Sequence, residues 1–465
     1  MTPAASPGTS RTEHAPAPPA AEKDSIVIIG AGLTGSLLAV LLGRKGLPVT
    51  VFERRSDPRV DGAERGRSIN LALSARGLAA LQQIGLEDLA LGVSLPMAGR
   101  MVHPVDGPPN LQPYSADGRH AINSISRTLL NIELLNAAAE TPGVELVFDH
   151  KLTEISLDEG NVLFETPAGE KVIRARTVFG ADGAFSTVRK HLAERGGFRV
   201  DVDSLGHGYK ELSIPATDAG DFALDPHALH IWARGDSMMI ALPNQDRSFT
   251  CTLFWPRTGP GGFDRPATDA EIGNYFAEHY PDAVPVMPTL ADDYRNNPIG
   301  SLVTVRTWPW FAAGKRCTAA LVGDAAHAIV PFYGQGANCG FEDTVALSEL
   351  YDAHGPDWPA IFADYQQRRK PDTDAIARFS LANFVEMRDS VNRRSFRAKS
   401  AVEHAVGRAT GGRFKSLYEL VSFTTVPYSK IRRRRAAQLA GIASGTVGLV
   451  GGFRFLRTWG RRRRV

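Results

Sequence analysis

Ser25-Ile-Val-Ile-Ile29, Gly30-Ala-Gly32-Leu33-Thr34-Gly35, Ser36-Leu-Leu-Ala-Val-Leu-Leu-Gly-Arg-Lys45 and Val49-Thr-Val-Phe52-Glu53 follow one another along the chain. The first block predicts a short buried strand, the third a helix and the fourth a second strand ending in an acid. Between them the glycines have separate jobs. Gly30 permits a tight turn, Gly32 lets backbone approach a pyrophosphate, and Gly35 lets the helix lie close on the strand. The helix N-terminus offers free N–H groups and a positive dipole end to phosphates, with Leu33 and Thr34 of the turn as further cofactor contacts. Glu53, 21 residues after Gly32, is placed to accept hydrogen bonds from an adenosine ribose. Strand, glycines, helix, strand and acid in register predict a dinucleotide-binding domain, with NAD and FAD both open.

Two downstream blocks favour flavin. Val178-Phe-Gly180-Ala181-Asp182-Gly183 is an apolar strand running into a turn, followed by Ser186, Arg189 and a short helix. Thr318-Ala-Ala-Leu-Val322 predicts another buried strand, ending in Gly323-Asp324-Ala-Ala-His327. Gln335 then falls inside Pro331-Phe332-Tyr333-Gly334-Gln335-Gly336-Ala337-Asn338, a loop that opens a helix over 340–350. Asp324, at a strand end, can bind the ribityl hydroxyls of a flavin. Backbone N–H groups between Gly334 and Asn338 can stabilise negative charge on the pyrimidine side of a reduced flavin. Arg54 and the stretch Gly66-Arg67-Ser68-Ile69-Asn70 fit further contacts to a large cofactor or a solvated basic rim.

Composition narrows the class. With 465 residues, 43% apolar and 22% charged, the chain is neither fibrous nor wholly disordered. Lys and Arg total 53 against 50 Asp and Glu, a net +3 that argues against nucleic-acid binding. Three cysteines cannot build a disulfide framework and none has zinc spacing, so no metal is expected and a cytoplasmic location is. Residues 1–22 hold five prolines and no hydrophobic period, which predicts a disordered tail. Near the other end, Arg432 to Arg435 precede 18 uncharged residues, and Arg461 to Arg464 follow. Five glycines dilute that stretch, so the expectation is a soluble body with a loosely packed tail, with peripheral membrane contact open and a true span least favoured.

The three motifs, in this order, resemble the FAD-dependent aromatic hydroxylases, the single-component flavin monooxygenases. Further stretches resemble the kynurenine 3-monooxygenase branch of that family: Gly66-Arg-Ser-Ile-Asn-Leu-Ala-Leu-Ser74, Asn110-Leu-Gln-Pro-Tyr114, Gly208-Tyr-Lys-Glu-Leu212, Ile240-Ala-Leu-Pro-Asn244, Asn383-Phe-Val-Glu-Met387 and Ser422-Phe-Thr-Thr-Val-Pro-Tyr428 among them. The resemblance implies an α/β fold in which a Rossmann-type FAD-binding domain (about 23–100, 120–205 and 300–375) interleaves with a mixed or antiparallel β-sheet substrate domain (about 100–120 and 205–300). A C-terminal helical region, 376–465, completes it. It also implies non-covalent FAD, NADPH and O2 as co-substrates, and hydroxylation of L-kynurenine to 3-hydroxy-L-kynurenine through a flavin C4a-hydroperoxide. The chain carries one dinucleotide fingerprint, so NADPH must visit transiently.

Matching motifs puts the substrate carboxylate on Arg100 and Tyr114, with help from Asn383 and Tyr418. A planar guanidinium suits that task because it can grip a carboxylate bidentately. The apolar wall for the aromatic ring maps to Ile240, Leu242, Phe254, Pro331, Phe332 and Met387. Gln335 maps near the substrate ketone and the reacting flavin face, and Arg127 to an FAD contact. No residue is assigned as catalytic with certainty. Tyr333 departs from the pattern, since many relatives carry Phe or His there. Two alternatives stay open: an aromatic hydroxylase for a different aryl acid, and a non-catalytic FAD-binding protein. The chain is expected to act as a monomer or homodimer.

Overall fold

The computed structural model describes residues 25–60, 70–259, 261–266, 268–389 and 394–440. The expected tail at 1–22, the stretch Gly66 to Ile69 and the basic segment beyond 440 lie outside the described residues. The strand Ile26–Ile29, nearly fully buried, sits inside a six-stranded sheet. Its parallel neighbours are Val49–Phe52 and Thr177–Gly180, with Val144–Val147 and Thr318–Leu321 next out. Phe311–Ala313 closes one edge antiparallel. Continuous apolar runs of this kind need cover on both faces. The helix Leu33–Gly43 supplies it on one side and the helix Gly336–His354 packs against that helix.

The glycines explain why the first helix sits so close. A Cβ on Gly35 would stand 2.0 Å from the Gly30 carbonyl oxygen, and Gly30 itself has φ +104. Only glycine permits both. The helix begins at Leu33 rather than Ser36, and the later helix at Gly336 rather than 340. In both cases glycine-rich sequence masks the first turn.

A second, seven-stranded sheet runs in the order Gly300–Trp308, Arg199–Ile214, Phe249–Pro256, Ser237–Pro243, Ala228–Arg234, Gly99–Val102, Asn110–Pro113. Every pair in it is antiparallel except Gly99–Val102 against Ala228–Arg234. The strand Gly300–Trp308 therefore belongs to this sheet, a correction to the expected boundary at 300. Its long pairing with Arg199–Ile214, invisible in local pattern, decides the matter. One face of the sheet buries Trp232, Phe249, Trp255 and Tyr280 under the helices Asp269–His279 and Leu290–Asn296. The other face turns toward the parallel sheet.

The 32-residue helix Trp358–Asp389 leads into the C-terminal region, made of Arg394–Ala409, Leu417–Ser422 and helical structure over 428–440. None of the described helices is long and apolar enough to cross a membrane. A buried ion cluster joins this region to the parallel sheet. Asp343, fully buried, accepts from the Gly323 amide (3.1 Å), His327 Nε2 (2.5 Å) and Arg369 Nε (2.7 Å). Arg369 also reaches Glu342, which pairs with Arg76, and Arg76 lies over the Tyr428 ring and donates to the carbonyls of Val421 and Val426. His327, Cys339 and Asp343 bring metal-type atoms within 4.8 Å of one another, but Arg369 already neutralises that carboxylate.

Burial works against the charge of Asp343, yet His327 and Arg369 outweigh it and hold its carboxyl below the ordinary range. A depressed folded value means stability present above the unfolded carboxylate range and lost as pH falls through the folded one. Asp343→Asn should therefore cost about 3–5 kcal/mol at neutral pH, the penalty for leaving a buried partner unpaired. Thermal unfolding across a pH series checks this, and the gap to wild type should narrow in acid.

Candidate functional site

The carboxyl ends of the parallel strands converge on one cavity of about 260 Å³. Open α/β sheets bind ligands at this end, where turns and helix N-termini gather. One side of the cavity consists of Gly32, Leu33, Thr34, Arg127, Ala181, Gly183, Asp324, Gly336 and Ala337. All but Ala181 were expected at a cofactor from sequence, and Ala181 stands in the motif already quoted. A Cβ on Gly32 would meet nothing within 4 Å, so this turn presents bare backbone to open space. The helix Leu33–Gly43 starts there with no side-chain cap on its N–H groups, and the helix Gly336–His354 likewise. Arg127, exposed at the start of Arg127–Glu140, adds a positive charge. This lining fits the pyrophosphate and ring system of FAD.

Four expected cofactor residues are turned elsewhere. Asp182 spends its carboxylate capping the helix Thr187–Glu194, accepting from Ser186 Oγ and from the amides of Thr187 and Val188. Asn338 accepts from the Ser74 amide and donates to the carbonyls of Ala72 and Gly334, so its side chain fastens the loop. Both corrections have one cause: a buried polar group takes the nearest backbone partner. Glu53 is buried at its strand end, outside the cavity lining. It accepts from the Ala31 amide at 2.9 Å and from Arg55, leaving spare lone pairs. Arg54 is exposed and also outside the lining.

The opposite side of the cavity is apolar. Met238, Ile240 and Leu242 alternate along Ser237–Pro243, and Phe254 stands on the next strand. Pro331, Phe332 and Met387 face them. Phe332 stacks on Phe384 at 4.2 Å and meets Phe254 at 5.1 Å, which fixes its ring. Met238 was missed by sequence reading although the period of two through Ile240 and Leu242 points to it. Leu229, Met97 and Ile122 line the cavity too, and only strand register brings them there.

Arg100 closes one end. It is 8% exposed, with its Cζ 4.5 Å from the Tyr418 ring centre and 5.6 Å from that of Tyr114. Those two rings stack at 4.7 Å. Among the described residues no carboxylate forms an ion pair with Arg100, and its Nε and the Tyr114 hydroxyl lack a well-aligned hydrogen-bond partner. Burial opposes the charge of Arg100, but the phenols of Tyr418, Tyr114 and Tyr333 and the Glu386 carboxylate hold its pKa up. Burial also pushes the Tyr114 and Tyr418 phenols upward, so both remain donors. A buried cation with spare donors is costly unless a ligand anion completes it.

Two expected substrate residues are placed differently. Gln335 is fully buried and absent from the lining. Its Oε1 accepts from Tyr428 at 2.8 Å and Ser74 at 3.3 Å, so its amide braces the loop against the C-terminal region. Asn383 donates to the Phe332 carbonyl at 2.6 Å and lines a second cavity, about 180 Å³. That cavity shares Arg100, Tyr114, Tyr333 and Tyr418 with the first.

Residues 23–380 match the family described as FAD binding domain. The chain is 45% identical over 429 residues to a kynurenine 3-monooxygenase of Myxococcus xanthus, covering 92% of this chain and 90% of that protein. It is 43% identical to a kynurenine 3-monooxygenase of Dictyostelium discoideum, covering 87% and 89%. Among solved structures it resembles a tetrameric 2-methyl-3-hydroxypyridine-5-carboxylic acid oxygenase, at 21% identity and TM-score 0.64, over 83% of this chain and 96% of that one. P. aeruginosa PqsL in complex with 2-aminobenzoylacetate follows at 21% identity and TM-score 0.61, over 78% and 96%. These two likenesses concern the fold alone.

Two glycine substitutions should behave oppositely. Gly32→Val adds a side chain into open space, so the apoprotein should fold as before while flavin occupancy drops. Gly35→Val drives a side chain into the Gly30 carbonyl and should destabilise the fold itself. Flavin absorbance and apoprotein melting temperature, read together, separate the two effects.

Proposed function

The chain belongs to the kynurenine 3-monooxygenase family, and on that premise we propose that it hydroxylates L-kynurenine to 3-hydroxy-L-kynurenine, consuming NADPH and O2 and releasing NADP+ and water. FAD, when bound, supplies the redox chemistry of hydride acceptance and dioxygen activation. The chain's own residues bind, orient and shield. The glycine turn at Gly30 to Gly35 and Arg127 receive the pyrophosphate, and Asp324 the ribityl chain. The N-terminus of Gly336–His354 faces the ring system.

Substrate orientation rests on charge. Arg100 grips the amino-acid carboxylate, and the Tyr114 and Tyr418 hydroxyls donate beside it. The aminobenzoyl ring then lies between the strand bearing Met238, Ile240 and Leu242 and the Pro331–Phe332 loop. Its amino group already enriches the neighbouring ring carbon, so no side chain has to remove a proton to activate it. Asn383 contributes from the adjoining cavity by holding the Phe332 carbonyl in place. The apolar wall keeps water away from the oxygen-transfer geometry. One observation carries this reading: a buried guanidinium with no paired carboxylate among the described residues and an unpartnered Nε, at the end of an apolar cavity that begins at a flavin-type backbone cradle. It favours an aryl amino or keto acid over a neutral aromatic.

Among the described residues one chain supplies both the cofactor side and the Arg100 end of the cavity, which supports action as a monomer or homodimer. Three unpaired, buried cysteines agree with a cytoplasmic setting. In the basic run, Arg432 lies over Phe379 and Arg435 pairs with Glu403, while Arg433 and Arg434 are exposed. Those two, with the arginines beyond 440, support peripheral attraction to an anionic membrane surface.

Adding L-kynurenine to the FAD-loaded protein should accelerate NADPH oxidation and yield a hydroxylated product, read by mass against a panel of aryl acids. A different aryl acid giving the coupled product, with L-kynurenine inert, would move the substrate assignment. Arg100→Ala removes a charge-assisted contact worth about 1.5–3 kcal/mol, so L-kynurenine should bind at least roughly tenfold more weakly with flavin content unchanged. In fractionation, full-length protein should leave a membrane pellet in high salt, because screening removes surface attraction. Release only by detergent would point to an anchor.

A further inference from the structure

Opposite the cavity, on the far face of the seven-stranded sheet, lies a chain of titratable groups, two buried histidines that end on the exposed carboxylate of Asp282. Alternate residues of a strand point to opposite faces. Arg100 therefore turns to the cavity while Met101 and, just past the strand, His103 turn away. In Ala228–Arg234 the same rule sends Leu229 to the cavity and His230 and Trp232 to the far side. The two strands are parallel neighbours, with Leu229 opposite Arg100 and His230 opposite Met101. His103 Nδ1 lies 2.5 Å from one carboxylate oxygen of Asp282, and its Nε2 lies 2.8 Å from Nδ1 of His230. His230 Nε2 then meets the Asp225 carbonyl oxygen at 2.8 Å. Trp232 donates to the second Asp282 oxygen at 2.9 Å, and its ring stacks on His103 at 4.2 Å.

Counting protons fixes the charge of this chain. A carbonyl oxygen brings no proton, so His230 must carry one on Nε2. A second must sit between Asp282 and His103. A third must sit between the two facing ring nitrogens, whose lone pairs would otherwise repel. Two neutral imidazoles bring only two, so the set holds one more, and its positive charge offsets the Asp282 carboxylate. Burial lowers His230 to about 4, which makes it the neutral ring. Burial also works against the charge of Asp282, but hydrogen bonds from His103 and Trp232 overcome it and keep its pKa low. Arg234 and the Asp225 carboxylate are the other charges here. Arg234 donates to the carbonyls of His103 and His279 and lies over the Tyr280 ring.

We propose that Asp282, His103 and His230 form a positioning element for Arg100, a proton-dependent strut that locks its strand to the strand of Leu229 and so sets how tightly the cavity holds a ligand carboxylate. This rests on the reading of Arg100 as the carboxylate clamp. Without the extra proton, the two ring nitrogens repel and the Arg100 strand loses its fixed seat. Affinity for a carboxylate-bearing ligand then falls, while affinity for the ring alone does not.

The test uses the FAD-loaded full chain and follows flavin absorbance as L-kynurenine, or its decarboxylated amine, is titrated in across a pH series. Wild type should prefer L-kynurenine, and that preference should decline as pH rises. Asp282→Asn keeps an acceptor but removes the charge. It should lower the preference roughly tenfold by weakening L-kynurenine alone, flatten the pH profile and leave FAD content unchanged. Histidine 15N spectra should show one buried imidazolium in wild type and its loss in the variant. If Arg100→Ala abolishes the preference but Asp282→Asn keeps it, or weakens both ligands equally, the strut is overturned and the clamp stands. If wild type shows no preference, or Arg100→Ala retains it, the clamp itself fails. Should the variant not fold, a pH-independent wild-type preference still overturns the strut.

Discussion

A single buried carboxylate, that of Asp343, ties the parallel sheet to everything packed on it. It holds the Gly323 amide at the end of Thr318–Leu321, the imidazole of His327 one turn later, and Arg369 in the long helix. Through Arg369, Glu342 and Arg76 the same cluster reaches Tyr428 and the carbonyls of Val421 and Val426. A charge this deep is tolerated only when every partner is in place. The cluster therefore makes the flavin-side turn and the C-terminal helices one unit, and Tyr418 of those helices completes the Arg100 end of the cavity.

The cavity obeys the opposite rule. Where Asp343 is saturated with partners, Arg100 is left short of them. Its neighbours are phenol rings, which stabilise a guanidinium through their faces without neutralising it. Such a site keeps the charge in place and leaves the Arg100 Nε without a protein partner among the described residues. The apolar wall beside it fixes where the rest of that ligand must lie. In the proposed reading, orientation follows from one charge and one slot, with no dedicated acid or base.

The seven-stranded sheet joins these features because its two faces do different work. On one side it presents Met238, Ile240, Leu242, Phe254 and Arg100. On the other it buries the aromatic cluster around Trp232 and Trp255, together with His103 and His230 of the chain that ends on Asp282. Register couples the faces, since Arg100 and Leu229 are paired across the same two strands that carry His103 and His230.

Much of this was legible in the sequence. Gly30, Gly32 and Gly35 specify a turn and a close approach that no other residue permits, so the first strand, helix and second strand follow from local chemistry. The motifs at Asp182 and Asp324 name two further strand ends, and the family resemblance picks out Arg100, Tyr114 and the apolar wall, which do converge. Local pattern fails where a side chain has a choice of partners. Asp182, Gln335 and Asn338 lie in the expected motifs, yet each turns to a nearby backbone or hydroxyl group, because a buried polar atom must be satisfied by whatever the fold brings within reach. Leu229 and the His103–His230 pairing depend on strand register between segments more than a hundred residues apart, and Met97 on its pairing with Ile122. Sequence determined which backbone conformations and charges the chain possesses. Tertiary structure alone decided which of those charges meet a partner and which are left waiting for a ligand, because desolvation and hydrogen-bond geometry are properties of the packed neighbourhood rather than of the residue.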